Sequence, residues 1–141
     1  MAKGTSSGLL DEQRAQSVFK HGILGRYAMP FAEMTGSTAP GRRVVVLDGF
    51  AGRGRYPDGS PGSAELILRT SVSTPRAVIE SVLVERKPSD FARLSEVVAE
   101  YRAQGVRSDA LPGDVVQYLP RVVRQAADVP LGWPATVACM R

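Results

Sequence analysis

Three acidic residues of this sequence, Asp48, Glu85 and Asp114, each lie at the carboxyl end of a predicted β-strand or just past it. Open α/β sheets bind ligands at the edge formed by the carboxyl ends of their strands, so we expect the three carboxylates to lie close together. A carboxylate has two acceptor oxygens, which match the adjacent hydroxyl groups of a ribose. These residues therefore predict a nucleoside site at one edge of a sheet.

The first of these acids opens a glycine-spaced turn that follows a run of apolar residues at positions 44–47. Such a run suits a strand that is buried on both faces. Glycines at positions 52 and 54 carry no side chain that would keep a ligand from the backbone, and glycine adopts positive φ readily. The alternative is that the turn only reverses the chain tightly. The residues predicted to bind the ligand here are Asp48, Phe50, Ala51, Gly52 and Gly54.

Glu85 is predicted to accept hydrogen bonds from both ribose hydroxyls, and Asp114 from an adenine amino group. Each of these acids also has a structural interpretation. Glu85 would then be a solvated strand-end acid paired with Arg86 or Lys87, and Asp114 the N-cap of a helix that begins at Val115. Glu85 lies beyond the usual separation of about 20 residues from the glycines, so residues 55–62 are predicted to be an inserted loop.

The elements that would position these residues alternate along the chain. Residues 1–10 are predicted to be a disordered arm, and residues 11–141 a partial Rossmann-like domain with an amino-terminal helical segment, 11–34, bent or broken at Gly22, Gly25 and Pro30. Ser63 is predicted to be a helix N-cap. Alternation of strands and helices indicates an α/β fold, a doubly wound parallel sheet. The predicted strands are 43–47, 81–85, 106–111 and 135–140, and the later helices are 63–70, 89–104 and 115–127.

Three motifs resemble those of one known family, the three-Cys-motif partner protein (TcmP) family of the S-adenosylmethionine (SAM) dependent methyltransferase superfamily. The turn itself, D-x-F-x-G-x-G, is typical of that superfamily. Ala64 stands where the TcmP family commonly has proline. The motifs are K-H-x-I-L-x-x-Y at residues 20–27, D-G-F-A-G-x-G-x-Y at 48–56 and G-x-P-G-S at 59–63.

The resemblance implies a class I methyltransferase type of Rossmann-like fold with SAM as the cofactor. In that interpretation Asp48 orients the ligand's ammonium group, and Lys20, His21 and Tyr56 are candidates for the substrate side or the pocket. His21 is alternatively a partly buried packing residue. The family name implies a partner, a three-cysteine-motif protein in a radical SAM-like context. The resemblance does not identify a methyl acceptor.

Proteins of this type continue into a strand with D-P-x-G, which this chain lacks before it ends at Arg141. We therefore expect the amino-terminal part of the fold only, with carboxyl-terminal strands missing, an open fourth strand and no methyl transfer by the chain alone. Two other functions remain open. One is a non-catalytic interaction module for a partner protein, and the other is a different nucleotide-binding enzyme, such as an NAD-dependent one.

The composition of the chain bears on nucleic acid binding, disulfides, metal sites and membrane spans. The 141 residues carry 18 basic and 14 acidic side chains, a net charge of +4, scattered along the chain, so nucleic acid binding is only weakly supported. A single Cys139 and a single His predict neither an internal disulfide nor a metal site, and Cys139 is predicted to be a buried thiol. No apolar run predicts a membrane span or a secretion signal, and the expected location is cytoplasmic.

Overall fold

A computed structural model of the chain describes the backbone of residues 7–127 and 137–140 and the side chains of residues 18 and 20–127. Helices and strands alternate, which confirms the predicted α/β class. The order is α1 (Ser7–Thr38), a short 3-10 helix (Pro40–Arg42), β1 (Arg43–Asp48), α2 (Ser63–Ser73), β2 (Val78–Glu85), α3 (Pro88–Arg102), β3 (Arg107–Pro112), α4 (Val115–Ala127) and β4 (Val137–Met140).

The four described strands form one parallel sheet in the order β3-β2-β1-β4. Asp48 is level with Leu83 on β2 and with Met140 on β4, so the last residue of β1 lies close to the carboxyl ends of both neighbours. The strand order reverses at β1. In open α/β sheets the crevice at such a reversal is where ligands bind.

Both faces of the sheet are buried, which explains the unbroken apolar runs in β1 and β2. One face packs against α1, α2 and α3, and its core includes Val44, Val46 and Leu83. The other face packs against α4 through Val45 and Leu47. Because helices cover both faces, a ligand can reach the sheet only at its edges. The predicted site residues lie at the carboxyl edge.

Helix α1 differs from its prediction. It begins at Ser7, inside the predicted arm, and runs as one helix past Gly22, Gly25 and Pro30, so the predicted break is absent. Proline has no N–H to donate. Pro30 is exposed, and water can bond the carbonyl that loses its helical donor. No helix in the described segments is long and apolar enough to cross a membrane.

Two local assignments are also corrected. Gly62, rather than Ser63, is the N-cap of α2, and as a glycine it has no side chain to form a capping bond. Strand β2 begins at Val78, three positions before the predicted start, because Val78 and Ile79 pair with Arg43 and Val44 of β1. The predicted burial of the Cys139 thiol and the predicted strand residues 135–136 lie outside what the structure describes.

Candidate functional site

Asp48, at the end of β1, is fully buried and accepts four hydrogen bonds. The Lys20 Nζ donates to both carboxylate oxygens, at 3.0 and 3.1 Å. The Ser63 hydroxyl donates to Oδ2 at 3.0 Å, and the Phe50 amide donates to Oδ1 at 3.1 Å. These contacts use all of the roughly four acceptor positions of a carboxylate. In this structure a lysine ammonium therefore occupies the position predicted for a ligand's ammonium.

The other predicted pocket residues lie beside this ion pair. The rings of His21, on α1, and Tyr56, in the loop after the glycine turn, are in contact, with centroids 6.0 Å apart and planes at 57°. Burial, together with the neighbouring Lys20 charge, lowers the pKa of His21 below its ordinary value. The lowered pKa favours the neutral imidazole of His21 at physiological pH. Helix α1 thus brings two of the predicted residues to the carboxyl edge.

The glycine turn is tied to the neighbouring strand by its own amides. The Phe50 amide donates to Asp48, the Ala51 amide donates to the Val84 carbonyl at 3.0 Å, and the Gly52 amide donates to Glu85 Oε2 at 2.8 Å. Three successive N–H groups are thus used within the protein. Gly52 has φ of 64° and Gly54 has φ of 80°, the left-handed conformation that glycine adopts most easily.

Glu85 is held by two backbone amides, one from the loop after β1 and one from the loop after β2. Gly52 donates to Oε2, and the Lys87 amide donates to Oε1 at 2.7 Å. The predicted alternative is pairing with Arg86 or Lys87. Among the described residues Glu85 forms an ion pair with neither, and the Lys87 ammonium lies 3.6 Å from Asp90. Each carboxylate oxygen of Glu85 keeps acceptor capacity for a second donor.

A cavity of about 450 Å³ opens at this edge between the turn and α4. The Asp114 carboxylate accepts from the Val116 amide at 2.9 Å, which is the predicted N-cap role, and Asp114 also lines the cavity. A side chain at Gly49 would lie 2.8 Å from Val115, so glycine there permits the approach of α4. The lining residues are Gly49, Phe50, Glu85, Arg86, Lys87, Asp114 and Val115.

An ion pair with a buried carboxylate, which the sequence analysis missed, anchors the loop after the turn. The Arg55 guanidinium donates to both oxygens of Glu65, at 3.0 and 2.8 Å, and the Tyr101 hydroxyl donates to Glu65 Oε1 at 3.0 Å. Burial opposes ionisation of Glu65, but these bonds outweigh it, and the pKa of Glu65 is lowered. Glu65 thus contacts Arg55 in the loop and Tyr101 on α3. Both contacts join separate elements, and no local sequence pattern predicts them.

Comparison with known proteins does not identify a family, because no protein-family model matches the chain and no curated protein matches it at a significant level. The described residues contain no group of three or more His, Cys, Asp or Glu side chains that could hold a metal ion. The function is therefore argued from the geometry of the carboxyl edge.

Proposed function

We propose that this protein binds SAM at the carboxyl edge of its sheet and is a SAM-dependent methyltransferase of the TcmP type, with a class I methyltransferase form of the Rossmann-like fold. The observation that carries the proposal is the placement of Glu85. Its carboxylate lines a cavity beside Gly49 and Phe50, and two amides orient both oxygens. A fixed two-oxygen acceptor at the end of the second strand suits the two adjacent hydroxyls of a ribose.

The turn favours SAM over a dinucleotide. A pyrophosphate needs free backbone amides, or the amino end of a helix directly after the strand. Here the amides of Phe50, Ala51 and Gly52 are all bonded within the protein, and α2 begins only at Ser63.

In this proposal the protein binds and orients, and SAM supplies the reactive methyl group. Glu85 takes the ribose, and Asp114 takes the adenine amino group while it caps α4. Phe50, with 68% of its surface exposed at the cavity mouth, offers a ring face to the adenine. His21 and Tyr56 lie toward the amino-acid end, where a methyl acceptor would approach.

The test is isothermal titration with SAM, S-adenosylhomocysteine, NAD and ATP. We expect the two SAM-type ligands to bind, and Glu85→Gln to weaken them by about 1–3 kcal/mol, because the amide nitrogen cannot accept from a ribose hydroxyl or from the backbone. Glu96→Gln, on the exposed side of α3, is the matched control and should leave binding unchanged. Tighter binding of NAD, or equal affinity in both variants, would contradict the proposal.

A second candidate function is an interaction module that binds a partner protein, and the surface of α1 favours it. This helix exposes several large apolar side chains. Large exposed apolar patches often mark surfaces that bind another protein. The resemblance suggests a three-cysteine-motif protein as the partner. Failure of all four nucleosides to bind would favour this function over the first. The exposed apolar residues of α1 are Val18, Ile23, Tyr27, Met29, Phe31 and Met34.

A further inference from the structure

The accessible charge at the glycine turn is the Lys20 ammonium and not the Asp48 carboxylate. Asp48 is fully buried, and its acceptor positions are taken by Lys20, Ser63 and the Phe50 amide. A ligand ammonium would have to displace Lys20 to reach it. Displacement would take the Lys20 ammonium from the Asp48 carboxylate, and the ligand ammonium would have to replace both of its bonds to that buried group.

Lys20, in contrast, has donor capacity left. An ammonium group has three N–H donors, and Asp48 accepts from Lys20 at two oxygens. The Lys20 side chain is 25% exposed, so its ammonium can be reached from solvent, whereas Asp48 cannot. The amides of Phe50, Ala51 and Gly52 have no such capacity, because each already donates within the protein.

We propose that Lys20 binds the α-carboxylate of the ligand's amino-acid part, and that Asp48 and Ser63 are positioning residues that hold the Lys20 ammonium at the turn. The inference rests on the proposed function, because it assumes a nucleoside that carries an amino acid. Asp48 fixes the position of the Lys20 ammonium through two hydrogen bonds, so the ligand carboxylate meets a donor that is already oriented.

Three thioether nucleosides test this assignment by isothermal titration. S-Adenosylhomocysteine has the carboxylate and the ammonium, its decarboxylated analogue has only the ammonium, and 5′-methylthioadenosine has neither. We expect the wild-type protein to bind S-adenosylhomocysteine at least tenfold more tightly than the decarboxylated analogue. In Lys20→Gln this preference should disappear, while the affinity for 5′-methylthioadenosine stays the same. Arg93→Gln, which makes the same charge change on exposed α3, should keep the preference.

The double variant Lys20→Met with Asp48→Asn removes both charges of the pair and should also lose the preference, so a folding defect in Lys20→Gln does not decide the result. Equal binding of S-adenosylhomocysteine and its decarboxylated analogue by the wild type would overturn the assignment. A preference that persists in the folded variants would overturn it too. If the wild type binds none of the three nucleosides, the proposed function fails, and the assignment fails with it.

Discussion

Gly52 lies at the point where ligand and backbone are proposed to meet. It has φ of 64°, and no atom lies within 4 Å of where its Cβ would be. Gly59, in the following loop, has φ of 83° and equally open surroundings. A side chain at either position therefore meets the same backbone strain and no steric conflict in the free protein. The two glycines differ in their place: the Gly52 amide donates to Glu85, which lines the cavity, whereas the Gly59 amide donates to the Tyr56 carbonyl.

We predict that Gly52→Ala and Gly59→Ala each lower the free energy of unfolding by about 1 kcal/mol. Only Gly52→Ala should weaken S-adenosylhomocysteine, by tenfold or more, because the methyl group takes space that the ligand needs. Chemical denaturation and titration of both variants measure the two effects. Equal ligand affinity in the two variants would mean that the Gly52 conformation serves the turn alone.

At the residue scale, the sequence allowed the prediction of which acids follow strands but not of what each acid contacts. Asp48 and Glu85 are recognisable because an apolar run ends at each of them. The partner of Asp48 is Lys20, 28 positions earlier on another element. Only the packing of α1 over the sheet brings the two together, and no local spacing records that packing.

At the scale of elements, Glu80 joins the amino end of the sheet to α4. Its carboxylate accepts two bonds at 2.8 Å from Arg43 on β1, and further bonds from Arg107 on β3 and Gln125 on α4. The Arg43 bonds, followed by those from Gln125 and Arg107, lower the pKa of Glu80 to about 2 despite its burial. One side chain thus connects three strands and a helix.

The lowered pKa of Glu80 gives a pH dependence with a definite sign. Its contribution to stability is fully present above its ordinary pKa of 4.5 and is lost as the pH falls toward about 2. Glu80→Gln should reduce the slope of unfolding free energy against pH in this range, by up to about 1.4 kcal/mol per pH unit. Urea denaturation between pH 2 and 5 measures it. Glu96→Gln should keep the wild-type slope, and the same slope in Glu80→Gln would contradict the role.

The bounds of an element can be predicted from local sequence patterns where burial of apolar residues determines them. The prediction fails where strand pairing or contacts between distant residues determine them. Helix α4 was predicted at its observed bounds, because its apolar spacing and the Asp114 cap are both local signals. Strand β2 is longer than predicted because its first residues, Val78 and Ile79, pair with β1. The loop after the turn is anchored by Arg55 and Glu65, which only the folded chain brings together with α3.

At the scale of the whole molecule, parallel strands separate the loops into two sets. Loops from strand to helix lie at the carboxyl edge, and loops from helix to strand lie at the opposite edge. The first set includes residues 49–54, 86–87 and 113–114, and the second includes 75–77 and 103–106. A ligand bound at the proposed site therefore contacts one set only. This separation allows the site to be located without an activity assay.

We predict that saturating S-adenosylhomocysteine slows the amide hydrogen exchange that occurs through local opening at residues 49–54, 86–87 and 113–114. At residues 75–77 and 103–106 this local exchange should be unchanged. Amides that exchange only through global unfolding should slow everywhere, since ligand at about 100 times its Kd stabilises the folded state by about 2.7 kcal/mol. Exchange measured by mass spectrometry separates the two classes. Slower local exchange in the loops of the opposite edge would place the ligand elsewhere, because a ligand at the carboxyl edge does not contact those loops.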